Sequence, residues 1–375
     1  MKENIAANLL YYRKKAKLSQ EKLAELAGVA RQSISNYEKA KTLPDSKTLA
    51  SLAQTLGVTV DDLLKGKNAI PSNLKYRTSN SFNEKPEFVT NFLGLLEKYA
   101  TLERAIGITP YIPESVPCHE VEGNDENIRK IAEKFRYHLK LGDGPILNLF
   151  EAVEQIGLKV LRKSIPIPGF FGLSVCVPDK GAFVLINTYQ ISIERQLFTL
   201  GHELGHLICH RSEYNQCVMG EGTELEEKVA DYFASYLLVP QKEFERFYKY
   251  TKDIKKLKRH FRVSYQVILK RLAEMKIIDY GKEQAKLCAI YKKEYNASLK
   301  RSMELPPMLD YSDFPQNERY ENLVCMALNL NKISQEESAD FLNQIDKTIS
   351  QFLEARQNIL TLGDEAATYT IEKIT

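Results

Sequence analysis

The stretch RQLFTLGHELGHLICH (residues 195–210) combines apolar residues at helical spacing with the motif HExxH. Apolar residues that recur every three or four positions predict a helix here. In a helix, His202 and His206 lie one turn apart on the same face, so both imidazoles can bind one Zn²⁺ ion. Glu203 lies next to that face and can take a proton from a zinc-bound water. The stretch therefore predicts a helix that carries a catalytic metal site.

Two nearby positions do not supply the third ligand that a catalytic zinc usually takes. Ser212 stands where a metzincin has its third histidine. His210 is two turns from His202, about 12 Å along the helix axis, so one ion cannot bind both of them together with His206. We expect His210 to lie at the helix end or behind a ligand rather than at the metal.

The third ligand is predicted on a second helix, which begins with ELEEKVADYFA (residues 224–234). Glu227 and Asp231 are four residues apart, so Glu227 can bind zinc while Asp231 holds a ligating histidine through its other ring nitrogen. This pairing resembles the Glu-zincin arrangement. Glu224 and Glu226 are alternatives, because acidic residues in a first helical turn are also favoured by the helix dipole.

Upstream of the motif, the run AFVLIN (residues 182–187) predicts a short apolar strand. Two interpretations stay open. In zincins such a strand borders the cleft and can pair with an extended peptide substrate; otherwise it is a buried strand of the core.

A second group that stabilises the oxyanion is also expected, and Tyr232 and Tyr236 are the candidates.

The N-terminal residues 4–64 read as about five short helices, and their centre is SQEKLAELAGVARQSISNYEKAKTLPDSKTLASLAQTLGV (residues 19–58). Ser19 is predicted to cap the second helix and Gly28 to end it. A third helix follows from about Ala30 to Glu38. Two helices joined by a tight turn at Gly28 are typical of the helix-turn-helix.

This stretch resembles the Cro/CI-repressor type of DNA-binding domain, the XRE family. The resemblance implies that Ala30–Lys39 is the recognition helix and that a dimer binds double-stranded operator DNA. Arginine can read guanine, and glutamine or asparagine can read adenine, in the major groove. The predicted DNA-binding residues are Gln20, Arg31, Gln32, Ser33, Ser35 and Asn36. The alternative is that they are solvated polar residues on a bundle that binds protein.

Charge is unevenly distributed along the chain. The net charge is +3 over 375 residues, but residues 1–67 hold 12 Lys and Arg against 7 Asp and Glu, a net +5, which leaves −2 for the rest. The basic end favours a phosphate partner there.

No stretch approaches the ~18 consecutive apolar residues of a membrane span, no signal peptide is read, and the six cysteines form no CxxC pair. We therefore expect a cytoplasmic protein with reduced cysteines and no membrane partner.

The middle of the chain, about 125–275, resembles the ImmA/IrrE family of zinc-dependent metallo-endopeptidases. The matching segments are GFFGLS (169–174), VLIN (184–187), RQLFTLGHELGHLICH (195–210) and EEKVADYFASYLLVP (226–240). One departure is Gly201, where alanine is common before the first histidine. The resemblance implies a site-specific peptidase that cuts a repressor and so relieves transcriptional repression under stress or during mobile-element induction.

Together these patterns predict an α+β, mostly α, architecture. Residues 1–66 are the helix-turn-helix domain, 67–124 a linker with one amphipathic helix (87–105), 125–280 the zincin-like domain with a small sheet, and 281–375 a helical region of unknown role. The basic cluster between Lys255 and Arg262 is a solvated face or, less favoured, a second DNA contact.

The predicted function is a DNA-binding regulator that also cleaves a repressor-like protein, or itself, with zinc. The alternative is a non-proteolytic regulator or antitoxin whose zincin-like domain only senses or binds.

Overall fold

The computed structural model describes residues 2–16, 18–64, 86–210, 223–300 and 303–352. Within these ranges the protein is mostly helical with one small sheet, which confirms the predicted fold class. The chain divides into two compact units, residues 1–73 with 89–94 and residues 74–88 with 95–375. Of the helices that the structure describes, none is both long enough and apolar enough to cross a membrane.

Residues 2–64 of the first unit form five short helices, as the sequence predicts. They are α1 (Lys2–Lys15), α2 (Gln20–Ala27), α3 (Arg31–Glu38), α4 (Ser46–Leu56) and α5 (Val60–Leu64). Ser19 caps α2 by accepting a hydrogen bond from the Lys22 N–H (3.0 Å), and Gly28 ends it in the left-handed region at φ 69°. Leu23, Ile34 and Leu52 are fully buried in the core that these helices share. The turn between α2 and α3 therefore has the helix-turn-helix form.

Eleven further helices and three strands belong to the rest of the described chain. The helices are α6 (Pro86–Ala105), α7 (Asp125–His138), α8 (Leu149–Gln155), α9 (Ile193–Cys209), α10 (Glu224–Leu238), α11 (Gln241–Tyr250), α12 (Ile254–Phe261), α13 (Tyr265–Glu274), α14 (Tyr280–Tyr295), α15 (Glu318–Asn329) and α16 (Gln335–Asn343). The strands are β1 (Lys159–Lys163), β2 (Gly172–Val177) and β3 (Gly181–Asn187). The amphipathic helix predicted over 87–105 is α6. Most of the linker before it, residues 65–85, lies outside the described residues.

The sheet has the strand order β1-β3-β2, so β3 is the central strand. β3 pairs in parallel with β1, from Lys159 opposite Phe183, and antiparallel with β2, from Gly172 opposite Ile186. Every residue of β3 is buried, which explains its unbroken apolar run. On the outer edge of β1, the Asn317 side chain accepts from the Arg162 N–H (2.7 Å) and donates to its carbonyl (2.9 Å). β2 forms the opposite edge of the sheet.

Helices α9 and α10 pack unusually closely, and this contact builds the core around the HExxH motif. A Cβ added at Gly205 would lie 2.9 Å from the Ala230 Cα, and one at Gly201 would lie 3.1 Å from the Ala234 Cβ. Glycine on one helix and alanine on the other therefore let the two backbones approach. The glycine at position 201, where alanine is common in the ImmA/IrrE pattern, contributes to that approach.

The basic cluster on α12 is used within the fold. Lys258 is 2% exposed, and its ammonium lies 3.2 Å from Glu194 and 3.3 Å from Glu304. Lys255 pairs with Glu294 at 3.0 Å, and Arg262 pairs with Asp313 at 2.8 Å. The prediction of a solvated face is therefore wrong for Lys258, which is buried, and the ion pairs of Lys255 and Arg262 favour a role within the fold over a second DNA contact.

A second buried ion cluster ties the C-terminal helices to the sheet. The Glu103 carboxylate on α6 lies 2.8 Å from the Lys159 ammonium on β1, and both side chains are fully buried. Arg319 on α15 donates to the other Glu103 oxygen at 2.8 Å. Removing one member of such a buried group leaves an uncompensated charge, so these elements hold one another in place.

Candidate functional site

Helices α9 and α10 bring together three predicted ligands. The Nε2 atoms of His202 and His206 lie 3.0 Å apart. The Glu227 carboxylate lies 3.2 Å from the first of these nitrogens and 3.4 Å from the second. One potential ligand atom from each of the three residues lies within 4.8 Å of the others. Imidazole nitrogen and carboxylate oxygen are donors that zinc binds, so these side chains fit a zinc ion.

Asp231 lies behind the first histidine, where the prediction requires it. Its Oδ1 atom is 2.9 Å from the Nδ1 atom of His202. A carboxylate at this nitrogen fixes the ring orientation and directs Nε2 towards the metal position. The Lys270 ammonium lies 3.4 Å from the other Asp231 oxygen. Asp231 is therefore placed to orient a ligand rather than to be one.

The electrostatics of this cluster favour a positive charge between the rings. Burial lowers the pKa of His202, but its contacts with Asp231 and Glu227 outweigh burial and raise that pKa to about 10. Burial raises the pKa of Glu227, but the contacts with His202 and His206 outweigh burial and hold that pKa well below its usual range. The carboxylates stay ionised and stabilise a cation, which a divalent metal supplies when it replaces the imidazole protons.

The remaining acidic and basic candidates near the motif have other contacts. Glu226 closes a capping box: its carboxylate accepts from the Thr223 N–H at 2.6 Å, while the Thr223 hydroxyl accepts from the Glu226 N–H at 3.2 Å. Glu224 is exposed in the same first turn. His210 follows the end of α9, and its Nδ1 lies 3.0 Å from the Nδ1 of His206. His210 thus contacts a predicted ligand from behind, as its spacing indicates.

A cavity of about 220 Å³ opens beside the three ligands, and Glu203 forms part of its wall. Glu203 is 4% exposed, and His202 and His206 line the same cavity. Arg195 also lines this cavity, and its guanidinium lies 4.3 Å from the centre of the Phe171 ring. Arg195 was not predicted as a site residue, although its place two turns before His202 on one helix face was a signal.

The tyrosines proposed as oxyanion donors do not line the metal cavity. Tyr236 is covered by the Arg271 guanidinium, 4.2 Å from its ring centre. Tyr232 lines a neighbouring cavity instead. Among the described residues, Arg195 is the cationic side chain in the metal cavity.

The idea that residues 182–187 border the cleft is wrong. That run is β3, which is paired on both sides and leaves no edge for a peptide. The strand that borders the cavity is β2, whose first residue Gly172 lines it next to Phe171. A Cβ on Gly172 would lie 2.6 Å from the Thr199 methyl group. Glycine at that position therefore lets the outer strand approach α9.

On the N-terminal unit, α3 presents most of the predicted DNA-binding residues. Arg31 and Gln32 are exposed, and Ser33, Ser35 and Asn36 are half-buried. The Gln32 amide donates to the Asn36 side chain at 3.2 Å. The helix thus offers a polar surface of hydrogen-bonding groups at its first two turns.

Gln20 is held within the unit. Its amide donates to one Glu38 oxygen at 2.7 Å, and Arg13 donates to the other at 2.6 Å. This network joins α1, α2 and α3 and holds α3, the predicted recognition helix, against the other two helices. Arg31 contacts Glu21 at 3.4 Å, but both side chains are about two-thirds exposed (65% and 71%), so this pair holds Arg31 only weakly.

Two family models match this chain. The model described as Helix-turn-helix matches residues 9–63, and the M78 peptidase model, described as IrrE N-terminal-like domain, matches residues 153–273. These two matches indicate a DNA-binding regulator that carries a metallopeptidase-like domain.

Two curated relatives agree with the regulator part of this class. The SPbeta prophage-derived HTH-type transcriptional regulator YonR of Bacillus subtilis is 32% identical over 80 residues, which are 21% of this chain and 69% of YonR. The HTH-type transcriptional regulator YqaE of the same organism is 39% identical over 61 residues, 16% of this chain and 53% of YqaE. The chain belongs to the HTH-type transcriptional regulators, and its residues 153–273 match the M78 peptidase model.

Solved structures give a weaker likeness. The apo form of ComR from S. thermophilus matches with 16% identity over 100% of this chain and 92% of that chain, at a TM-score of 0.17. Apo ComR from Streptococcus vestibularis matches with 13% identity over 90% of this chain and 96% of that chain, also at 0.17. A TM-score this low supports no inference about fold or function.

Proposed function

We propose that this regulator is also a zinc-dependent endopeptidase, which hydrolyses a peptide bond in a repressor-like protein or in a copy of itself. In this proposal residues 125–280 are the peptidase domain and residues 1–66 bind operator DNA, with 67–124 as the linker and 281–375 as an accessory helical region. The observation that carries it is the convergence of His202, His206 and Glu227 beside Glu203 in one cavity.

His202, His206 and Glu227 are the residues that would hold the metal. Zinc bound there would polarise the scissile carbonyl and lower the pKa of a bound water towards about 7. Glu203 accepts a proton from water in the cavity and returns it to the leaving amine. Asp231 keeps the His202 ring in the orientation that binding needs. Each of these side chains either lines the cavity or orients a residue that lines it.

Arg195 fits the role of the missing second oxyanion donor. Its guanidinium is fixed on the Phe171 ring in the wall of the cavity. A positive group that is fixed before the reaction stabilises the negative charge that develops on the carbonyl oxygen. The outer edge of β2 is the place where an extended substrate backbone could add as a further strand.

The N-terminal unit would deliver this peptidase to operator DNA. Arg31, Gln32 and Asn36 would contact base edges from α3, with Ser33, Ser35 and Gln20 at bases or phosphates. Helix-turn-helix proteins bind two half-sites about one DNA turn apart as dimers. We therefore expect a homodimer on a near-palindromic operator.

A regulator without proteolytic activity is the second candidate, because the matching relatives are regulators by name. In that case the metal site would be a sensing or binding module, as in an antitoxin or a metal-responsive regulator.

Metal removal separates the two candidates. The purified full chain is freed of metal with a chelator, reloaded with zinc, and incubated with itself and with the repressor-like products of neighbouring genes. Cleavage that stops on metal removal and returns with zinc supports the peptidase. One equivalent of bound zinc and intact operator binding, without cleavage of any of these proteins, would favour the second candidate.

A further inference from the structure

A second cavity, of about 190 Å³, adjoins the metal cavity and shares Phe198 and Asp231 with it. It lies between α10 and α13, beside α9. Phe198 and Val267 are 7% and 5% exposed and form apolar walls. The shared residues make the two cavities neighbours, so a peptide whose backbone occupies the first can place one side chain in the second.

The second cavity contains a buried hydroxyl that the proposed mechanism does not use. Ser235 is 5% exposed, and its Oγ atom has no hydrogen-bond partner among the residues that the structure describes. A buried polar group without a partner is rare and unfavourable. Because Ser235 lines the cavity, a polar group that enters it can supply this partner.

The charged side chains that line this cavity are two cations, Lys228 and Lys270, and two carboxylates, Asp231 and Glu274, and both carboxylates are already paired. Glu274 is paired with Arg271 at 3.1 Å, and Asp231 is engaged by His202 and Lys270. The Lys228 ammonium lies 5.3 Å above the Tyr232 ring, and no carboxylate in the described part of the chain lies within 4.0 Å of it.

Helical spacing places these groups on faces that line the same cavity. Lys228 and Ser235 are seven residues apart on α10, so they share one face of that helix. Val267 and Lys270 are three residues apart on α13 and face the same cavity. A cationic rim, apolar walls and a free hydroxyl together match a side chain with a short aliphatic stem and an anionic tip.

We infer that this cavity is a side-chain subsite that selects an acidic residue, glutamate above all, next to the scissile bond of the substrate. The inference rests on the proposed peptidase function and names its substrate class. The glutamate methylenes pack between Phe198 and Val267. Its carboxylate accepts a hydrogen bond from the Ser235 hydroxyl and forms an ion pair with the Lys228 ammonium.

The test measures binding rather than turnover. Three peptide hydroxamates that differ only in the residue next to the hydroxamate (glutamate, leucine or lysine) are titrated calorimetrically into the zinc-loaded full chain. The glutamate probe should bind at least about tenfold more tightly than the leucine probe, with the lysine probe weakest. Ser235→Ala should reduce the glutamate-over-leucine ratio several-fold.

Reversal of the exposed charge gives the sharpest readout. Lys228→Glu should make the lysine probe bind more tightly than the glutamate probe. Lys256→Glu, the same change at an exposed position on α12 that lines neither cavity, should keep the wild-type order. Equal affinities for the three probes, no binding of any, or an unchanged order in Lys228→Glu would overturn the subsite. Cleavage of protein substrates after zinc reloading is measured separately, so a failed subsite and a failed peptidase proposal give different results.

Discussion

At the scale of single residues, the candidate site depends on which carboxylate faces which ring nitrogen. Glu227 faces the Nε2 atoms of both histidines, and Asp231 faces the Nδ1 atom of His202. A Glu and an Asp one turn apart on α10 thus divide the two roles of ligand and ligand support. Glu226, next in the chain to Glu227, faces the helix N-terminus instead.

Zinc affinity should distinguish Glu227 from its neighbours. Loss of a supporting partner typically costs about 10–100-fold in metal affinity, so loss of a direct ligand in Glu227→Ala should exceed that. Glu224→Ala removes an exposed carboxylate from the same helical turn and should leave the affinity within about twofold. Competition with a chromophoric chelator measures both. Equal affinities for the two variants would contradict the assignment of Glu227.

Base readout by Arg31 can be measured on the N-terminal unit. Arg31→Ala should weaken binding to the specific operator by about 1–3 kcal/mol and binding to random duplex much less. Lys22→Ala removes one exposed positive charge from α2, so it should weaken both duplexes to a similar extent. Fluorescence anisotropy at fixed salt gives the four values. An unchanged preference for the operator in Arg31→Ala would remove this residue from base readout.

The spacing of residues along a helix predicts which side chains share a site. It does not predict contacts between segments that are distant in the sequence. The positions of His202, His206, Glu227 and Asp231 follow from repeats of four residues on two helices. The role of Arg195 depends on Phe171, which is 24 residues earlier in the chain and reaches it through the packing of β2 on α9. No local pattern contains that contact.

At the scale of elements, the site depends on how closely α9 and α10 approach. Glu227 and Asp231 reach the histidines because Gly201 and Gly205 leave room for the α10 backbone. A side chain at either glycine would separate the helices and move the carboxylates away. The glycines of the motif segment are therefore part of the metal site, although they bind nothing.

Gly205→Ala tests this contact. The added methyl group would lie 2.9 Å from the Ala230 Cα, so the helices must shift, and we expect a loss of about 1–3 kcal/mol in unfolding free energy. Gly281→Ala on α14 adds a methyl with an ordinary 3.6 Å contact to Asp279, and should be neutral or stabilise by up to about 1 kcal/mol. Denaturant titration compares the two variants. A Gly205→Ala protein as stable as the wild type would show that the helices are not in tight contact.

The strands show where sequence patterns stop being informative. An unbroken apolar run such as AFVLIN predicts a buried strand, but it is the same for a central strand and for one that borders a cleft. Strand order is set by pairing between distant segments, and the position of β2 at the edge follows from its antiparallel register with β3. The sequence therefore predicts the strand and not its neighbour at the cavity.

At the scale of the whole molecule, the excess of positive charge lies in the N-terminal part of the chain. The basic end, with net charge +5 over residues 1–67, coincides with the matched helix-turn-helix, residues 9–63. The basic residues Lys258, Lys255 and Arg262 are neutralised by carboxylates within the fold. Attraction to DNA phosphates should therefore come chiefly from the N-terminal unit.

A dimer on the operator is the corresponding prediction at this scale. Sedimentation of the full chain with an operator duplex should give two chains per duplex, since each recognition helix reads one half-site. Moving the half-sites apart by half a DNA turn should weaken binding strongly. A single chain bound to the operator at saturation would contradict the dimer.

We propose that this regulator hydrolyses a peptide bond with Glu203 at a site formed by His202, His206 and Glu227. The most direct test compares wild type with Glu203→Gln, both loaded with one equivalent of zinc, on the same repressor-like substrate. Glu203→Gln keeps the size of the side chain but removes the proton acceptor. We predict zinc-dependent cleavage by the wild type and a rate at least about 100-fold lower for the variant, at unchanged zinc content. Equal cleavage by both proteins, or none by the zinc-loaded wild type, would contradict the claim.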